Sequence, residues 1–175
     1  IDNGLELLEM TSAQSGPELD LIGESSAAAR HRLSFFRICF GAADPAAQIS
    51  TEVFSDTMRA AMTTQRLTIE TQITDTEMPR RLAKLTALIA LCVESSLPVG
   101  GKITVSQKPS EWHVSADSRR VDVPTDLWRH VTHSDPLPAP LQASKVQFPL
   151  ACYQARAVGR DVHMRSTEKS ILVIL

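Results

Sequence analysis

The stretch that decides the fold is PELDLIGESSAAARHRLSFFRICF, residues 17–40. Ser15 and Glu18 are spaced as in a capping box and Pro17 fits the first turn, so a helix is predicted to begin there. Along this helix, small and apolar residues recur seven apart in two rows, which is the pattern of helices that pack against other helices. The two rows are Ile22, Ala29 and Phe36, and Ser26, Leu33 and Phe40.

The residues before this helix predict another one. Ile1, Leu5 and Leu8 recur at helical spacing, and a polar turn at 11–16 separates them from the long helix, so residues 1–41 are predicted to form a helical hairpin. Its apolar stripe is wider than one partner helix would cover, because further apolar residues flank the two rows: Leu19, Leu21, Ala28, Phe35 and Ile38. Two hairpins paired in a four-helix bundle would hide the stripe. We therefore expect a homodimer with a core of Ile22, Ala29, Leu33 and Phe36.

A different pattern follows a linker at 41–47, which contains Pro45. Helical periodicity predicts helices at 50–62, 79–96, 126–130 and 145–158. Alternating apolar residues predict strands at 67–73, 102–106 and 111–116, and two more strands close the chain. The segment PVGG at 98–101 is predicted to be a turn, and 134–143 is too rich in proline for regular structure. The sequence thus predicts a mixed α/β domain over residues 48–175.

Composition narrows the class of protein. The 175 residues carry a net charge of −2 and a pI near 6.2, which gives no electrostatic footprint for nucleic acid or for an anionic membrane. No apolar run reaches the roughly 20 residues that cross a bilayer. The three cysteines are far apart and form no CxxC pair, which is typical of buried thiols in a reducing compartment. A cytoplasmic protein is expected.

Four short motifs occur in order along the chain. They are IDNGLELLE at 1–9, RICFG at 37–41, SLPVGG at 96–101 and ARAVG at 155–159. In this order and at these intervals the chain resembles the ChpT-type histidine phosphotransferases of alphaproteobacteria. The resemblance implies a DHp-like helical hairpin followed by a degenerate GHKL or Bergerat-type α/β sandwich. It also implies a phosphorelay role, in which phosphoryl groups pass between the receiver domain of a hybrid histidine kinase and those of response regulators.

The resemblance also places the reacting group. In the family the phosphorylated histidine precedes the Asn3–Gly4 pair by about two and a half helical turns, which is upstream of Ile1. No catalytic residue is therefore assigned within this sequence, and these residues alone are expected to be inert in phosphotransfer. Four neighbours of that histidine are expected to contact the receiver domain: Asn3 and Glu6 on the first helix, and Arg37 and Phe40 at the end of the second. Arg37 would pair with phosphate or an acidic pocket, or it would only cap its helix.

Kinases of this superfamily bind ATP through side chains that the resemblance lets us place. Leu88 and Cys92 fall where the kinases have asparagines that support magnesium, and a leucine offers no oxygen ligand. Asp117 falls at the aspartate that reads adenine, but SRR follows it in place of glycines. The segment KVQF at 145–148 replaces the glycine-rich turn that would approach phosphate. We expect no ATP, no metal and no other cofactor.

Two other interpretations stay open at this point. One is an ATP-dependent sensor histidine kinase core, and the other is a non-catalytic, anti-sigma-like binding module. His31 invites assignment as the phosphohistidine, but it lies between two arginines on the second helix and lacks an acidic neighbour, so a solvated position is favoured. His130 and His133, with Asp135 nearby, have a spacing that some metal sites use, but no second cluster completes a site.

Overall fold

The computed structural model describes residues 17–175, so the predicted first helix of the hairpin, with Asn3 and Glu6, lies outside the described residues. The helices of the described part are α1 (Pro17–Phe40), α2 (Thr51–Met62), α3 (Arg80–Glu94), α4 (Thr125–His133) and α5 (Gln147–Ala157), with a short 3₁₀ turn at Ala143–Lys145 before α5. The predicted helix at 17–40 is confirmed at both ends. Ser50 caps α2, because its side chain accepts a hydrogen bond from the Val53 N–H at 3.5 Å.

The strands are β1 (Gln48–Ser50), β2 (Leu67–Gln72), β3 (Glu77–Pro79), β4 (Gly101–Gln107), β5 (Trp112–Asp117), β6 (His163–Ser166) and β7 (Ser170–Ile174). Five of them form a sheet in the order β2-β4-β5-β7-β6, in which β2 and β4 are parallel and the other neighbours are antiparallel. The predicted hairpin of 102–106 with 111–116 is confirmed. The antiparallel pair β1–β3 was not predicted, because strands of three residues show no alternation that could be read.

The sheet has one buried face and one open face. On β5 the side chains of Trp112, Val114 and Ala116 are buried, whereas His113, Ser115 and Asp117 alternate out of that row. Helix α3 covers the buried face, and α5 packs along α3. Ten residues of α3 are buried: Leu82, Ala83, Leu85, Thr86, Ala87, Leu88, Ile89, Ala90, Cys92 and Val93. This helix is therefore the centre of the core.

The end of α1 belongs to the same core. Phe35, Ile38 and Cys39 are 1%, 6% and 0% exposed, and they lie in one cluster with side chains of α2 and α3. Burying each large apolar side chain contributes roughly 1.5–3 kcal/mol, so α1 is fastened to the α/β domain through its last two turns. No helix within residues 17–175 has both the length and the apolar character that crossing a membrane requires.

Candidate functional site at the end of the long helix

Three cations at the start of α3 hold the end of α1. Arg80 donates through Nη2 to the Arg37 carbonyl at 3.4 Å, and Lys84 donates through Nζ to the Gly41 carbonyl at 2.9 Å. Arg81 donates through Nε to the Ala43 carbonyl at 3.4 Å. The last carbonyls of a helix have no partner inside it, and its C-terminal end carries partial negative charge. The Arg37 carbonyl lies in the last turn of α1 and also accepts the Gly41 N–H at 3.2 Å, whereas the Gly41 and Ala43 carbonyls follow the helix. These contacts therefore tie the end of α1 and the residues after it to α3.

The position of these cations at the N-terminus of α3 is unusual. Positive side chains at a helix N-terminus are disfavoured by its dipole, and the first turn of α3 holds no acidic residue. The opposing negative end of α1 offsets this repulsion. Our sequence interpretation missed this set, although one signal was available: Arg80-Arg81 opens a helix whose first turn contains no acidic residue. Such a start indicates that a partner for the charges lies elsewhere in the fold.

Arg37 and Phe40, predicted to contact a receiver domain, lie together at this end of α1. The Arg37 side chain is exposed and has no ion pair or hydrogen bond within the described part of the chain, so its guanidinium points to no fixed neighbour. Phe40 is 43% exposed, and its ring lies tilted against that of Phe36 with centroids 5.6 Å apart. Arg37, Arg80, Arg81 and Lys84 together make this end of the helix basic.

The predicted dimer core lies on the outer side of α1. Ile22, Leu33 and Phe36 are 52%, 61% and 38% exposed, and Ala29 is also exposed. Phe35 and Ile38, which the sequence interpretation counted as part of the same wide stripe, point instead into the α/β domain. That part of the argument for a dimer was wrong, because the chain's own α2 and α3 cover those two side chains. The exposed row remains uncovered among the described residues.

The two positions assigned to magnesium-supporting asparagines face the core. Leu88 and Cys92 are both 0% exposed, and α5 packs along the helix that carries them. Burial raises the pKa of the Cys92 thiol well above its usual value, and the neighbouring Cys39 raises it further. Burial likewise raises the pKa of Cys39 to about 12, against the opposing effect of Lys84. Both thiols are thus neutral, and they serve as packing groups rather than as nucleophiles.

The other two positions that the resemblance aligns with nucleotide-binding elements lie in different surroundings. Asp117 is exposed and belongs to the row of β5 that faces away from the helices. The KVQF segment spans the end of the 3₁₀ turn and the first turn of α5, where Phe148 is 0% exposed and meets Trp128 edge to face at 5.6 Å. Trp128 in turn donates its indole N–H to Ser96 Oγ at 3.1 Å. A packed aromatic pair thus occupies the segment that would have to approach phosphate.

The histidines make local contacts. His31 is exposed on α1. His130 Nδ1 lies 2.6 Å from the Asp135 carbonyl, and His133 Nδ1 lies 2.7 Å from the Thr132 hydroxyl. Asp135 itself pairs with Arg129 at 2.6 Å. Among residues 17–175 no group of three acidic, histidine or cysteine side chains is arranged to hold a metal ion.

In the described part of the chain, a long helix is fastened at its end to an α/β sandwich, and comparison with known proteins gives the class. Residues 52–170 match the family described as histidine phosphotransferase C-terminal domain, and the chain belongs to that family. Protein phosphotransferase ChpT of Brucella abortus (strain 2308) is 28% identical over 178 residues, which span 98% of this chain and 84% of that protein.

Solved structures agree with this assignment. A bacterial phosphotransferase is 26% identical and matches with a TM-score of 0.76, over 99% of this chain and 84% of its own. The histidine kinase AdeS of Acinetobacter baumannii, at 8% identity, shares the fold with a TM-score of 0.50 over 99% of this chain and 90% of its own. These matches confirm the predicted ChpT-type resemblance and the predicted order of a helical segment followed by a histidine-kinase-like domain.

Proposed function

We propose that this chain works as the phosphotransfer protein of a bacterial phosphorelay, without binding ATP. A receiver domain would bring an aspartyl phosphate to the bundle, where the phosphorus–oxygen bond breaks as a phosphorus–nitrogen bond to histidine forms. A second receiver would then take the phosphoryl group in the reverse chemistry. The family membership and the similarity to protein phosphotransferase ChpT support this role.

The observation that carries the proposal is the basic end of α1. Arg37 is exposed there beside three cations of α3, and the hydrogen bonds from Arg80 and Lys84 hold this end in one orientation. A receiver domain presents an acidic phosphorylation pocket, so a fixed basic surface would attract and orient it. In the proposal Arg37 and Phe40 contact the receiver, together with Asn3 and Glu6, which lie outside the described residues. The phosphorylated histidine is the one that the resemblance places before Ile1.

The absence of a nucleotide role is supported by the packing of α3. In the proposal, the side chains at Leu88 and Cys92 build the core in place of a magnesium site, and both are fully buried. The phosphoryl group already arrives in activated form on the receiver, so transfer needs positioning and charge stabilisation more than a nucleotide. The rival interpretation as an ATP-dependent kinase would require these buried positions to open.

The proposed working unit is a cytoplasmic homodimer. The exposed row of Ile22, Ala29, Leu33 and Phe36 supports this part of the proposal. A row of apolar side chains on one helix face is stabilised when a partner covers it and removes it from water. Two copies would pair these faces in a four-helix bundle over residues 1–41, with the α/β domains of residues 48–175 outside it.

The test is receiver binding by an arginine variant. Arg37→Ala should weaken the affinity for a receiver domain by about 1 kcal/mol or more, because it removes a rim charge that steers an acidic partner. Arg165→Ala is the matched control, since Arg165 is an exposed arginine on β6, at the edge of the sheet opposite β2. Isothermal titration calorimetry at two salt concentrations measures both. Equal affinities for wild type and Arg37→Ala would mean that Arg37 only caps its helix, and would remove the main support for this docking site.

A further inference from the structure

A cavity of about 620 Å³ lies beside β6, which is one of the two edge strands of the five-stranded sheet. Helix α4 bounds it on one side, and among the lining residues of this helix are Trp128, Arg129 and His133. Strands β6 and β7 bound it on the other side, where Met164, Arg165 and Leu172 line it. The cavity is separate from the basic end of α1 and from the positions that the resemblance aligns with nucleotide-binding elements.

The cavity is lined from both faces of the sheet. Met164 pairs in register with Val173, which is 0% exposed, so Met164 lies on the face that the helices cover. Arg165 pairs with Leu172, and Leu172 pairs with Ser115 of the open face, so Arg165 lies on the open face. The two faces of a sheet meet only at an edge, and β6 is the edge strand here. The cavity therefore runs along the free edge of β6, where a further strand would lie.

The free edge of β6 offers backbone groups to such a strand. In an antiparallel pair, the residues of one strand direct their N–H and C=O groups alternately toward the neighbouring strand and away from it. Within the described part of the chain, β6 pairs with β7 alone, and residues 163–166 make no other hydrogen bond. About half of the backbone groups of β6 therefore have no protein partner there. A short edge strand with a charged side chain also discourages aggregation, but that role requires no cavity beside the strand.

The side chains along this edge define the segment that fits it. Successive residues of an added strand point to opposite faces of the sheet. On the helix-covered face they would meet Met164 and Trp128, so apolar side chains fit there because burying apolar surface is favourable. On the open face they would meet Arg165, which is exposed, so an acidic side chain fits there.

The charges of the lining also favour an acidic segment. Arg165 makes no ion pair or hydrogen bond within the part of the chain that the structure describes. Arg129 pairs with Asp135 at 2.6 Å, and Glu111, the one carboxylate among the described lining residues, lies 3.0 Å from His113 Nε2. Arg165 is therefore the cation of this cavity that is available to a carboxylate of a partner.

We propose that the free edge of β6 binds an extended segment of a partner protein by strand addition, and that acidic and apolar residues alternate in this segment. Main-chain hydrogen bonds to β6 supply affinity, and the alternating side chains supply specificity. The apolar residues pack on Met164 and Trp128, and an acidic residue pairs with Arg165. This site goes beyond the proposed phosphotransfer function, which brings a receiver domain to the basic end of α1.

The experiment measures, by fluorescence anisotropy, the binding of a labelled peptide of about seven residues in which glutamate and valine alternate. The wild type should bind it, and Arg165→Glu should weaken binding at least about fivefold, because the change removes an attraction and adds a repulsion. Arg66→Glu is the matched control. Arg66 is an exposed arginine just before β2, the other edge strand of the sheet, and its variant should bind like the wild type.

Two further peptides test the mode of binding. A peptide of the same composition with its glutamates and valines in separate blocks should bind more weakly, because it lacks the alternation. The alternating peptide with all of its amides N-methylated should not bind, because it has no N–H groups to donate to β6.

The proposal is overturned if the alternating peptide shows no binding at about 1 mM, or if Arg165→Glu binds it as well as the wild type does. Undiminished binding of the block peptide or of the N-methylated peptide would also overturn it. So would an equal loss of affinity in Arg66→Glu, because binding would then follow net charge alone. Receiver affinity is measured separately, so failure here leaves the phosphotransfer proposal standing.

Discussion

Thr86 places a polar group without a hydrogen-bond partner in the core around α3, among the residues that the structure describes. Its side chain is fully buried, and its hydroxyl has no hydrogen-bond partner among the described residues. By contrast, Ser96 in the same core accepts from the Trp128 indole and donates to the Cys92 carbonyl at 3.2 Å. Leaving a buried hydroxyl without a partner costs roughly 1–3 kcal/mol relative to a satisfied one. The packing around α3 therefore tolerates one defect amid satisfied polar groups.

Replacing this hydroxyl by a methyl group should stabilise the protein. Thr86→Val keeps the shape of the side chain and removes the unpartnered oxygen, so we expect the free energy of unfolding to rise by about 1 kcal/mol. Thr132→Val is the control, because the Thr132 hydroxyl donates to the Trp128 carbonyl at 3.0 Å and its loss should give no gain. Urea unfolding followed by circular dichroism measures both. A lower unfolding free energy for Thr86→Val would show that the hydroxyl contributes to stability.

At the scale of elements, the sequence predicted the helices whose apolar residues recur at regular spacing. It did not reveal the contacts between residues that are far apart in the chain. Pro17 and the seven-residue rows were sufficient to place α1, and the apolar run of α3 predicted a buried helix, because local spacing determines both. The direction in which Phe35 and Ile38 point could not be predicted, because it depends on α2 and α3 packing against α1. The contacts of Arg80, Arg81 and Lys84 depend on the same docking, so spacing alone could not reveal them.

Loss of one of these contacts should loosen the junction between α1 and the α/β domain. Lys84→Met keeps the apolar stem and removes the hydrogen bond to the Gly41 carbonyl, so amides of residues 41–47 should exchange with deuterium several-fold faster, roughly as expected for a lost hydrogen bond of about 1 kcal/mol. Lys102→Met, which removes an exposed pair with Glu70, serves as the control and should leave this segment unchanged. Unchanged exchange in Lys84→Met would mean that Phe35, Ile38 and Cys39 alone hold the junction.

At the scale of the whole molecule, the two sides of α1 have different surroundings. The side with Phe35, Ile38 and Cys39 joins the α/β domain, and the side with Ile22, Leu33 and Phe36 is exposed. The proposed dimer would use only the exposed side. The predicted division into residues 1–41 and 48–175 stays a prediction about domains, and the shared core at the end of α1 means that the two parts would meet through a packed junction rather than a loose linker.

A charge on the exposed side should separate the proposed dimer. Leu33→Asp would place a carboxylate in the bundle core, where it is costly, so the variant should be monomeric at concentrations where the wild type is dimeric. Ser34→Asp adds the same charge one position away from the row and should remain dimeric, since Ser34 is exposed and outside both seven-residue rows. Light scattering at tens of micromolar (roughly the range where such bundles persist) measures the mass. A monomeric wild type would rule out this interface.

The most direct test of the central claim follows a labelled phosphoryl group. The full-length protein is mixed with a receiver domain that carries a ³²P-labelled aspartyl phosphate, in the absence of nucleotide. We expect the label to move onto this protein in the acid-labile, base-stable form of phosphohistidine, and we expect incubation with γ-³²P-labelled ATP and magnesium to leave the protein unlabelled. Label acquired from ATP would contradict the phosphotransfer proposal and indicate a kinase. A failure to accept label from any receiver would contradict the proposal and indicate a binding module.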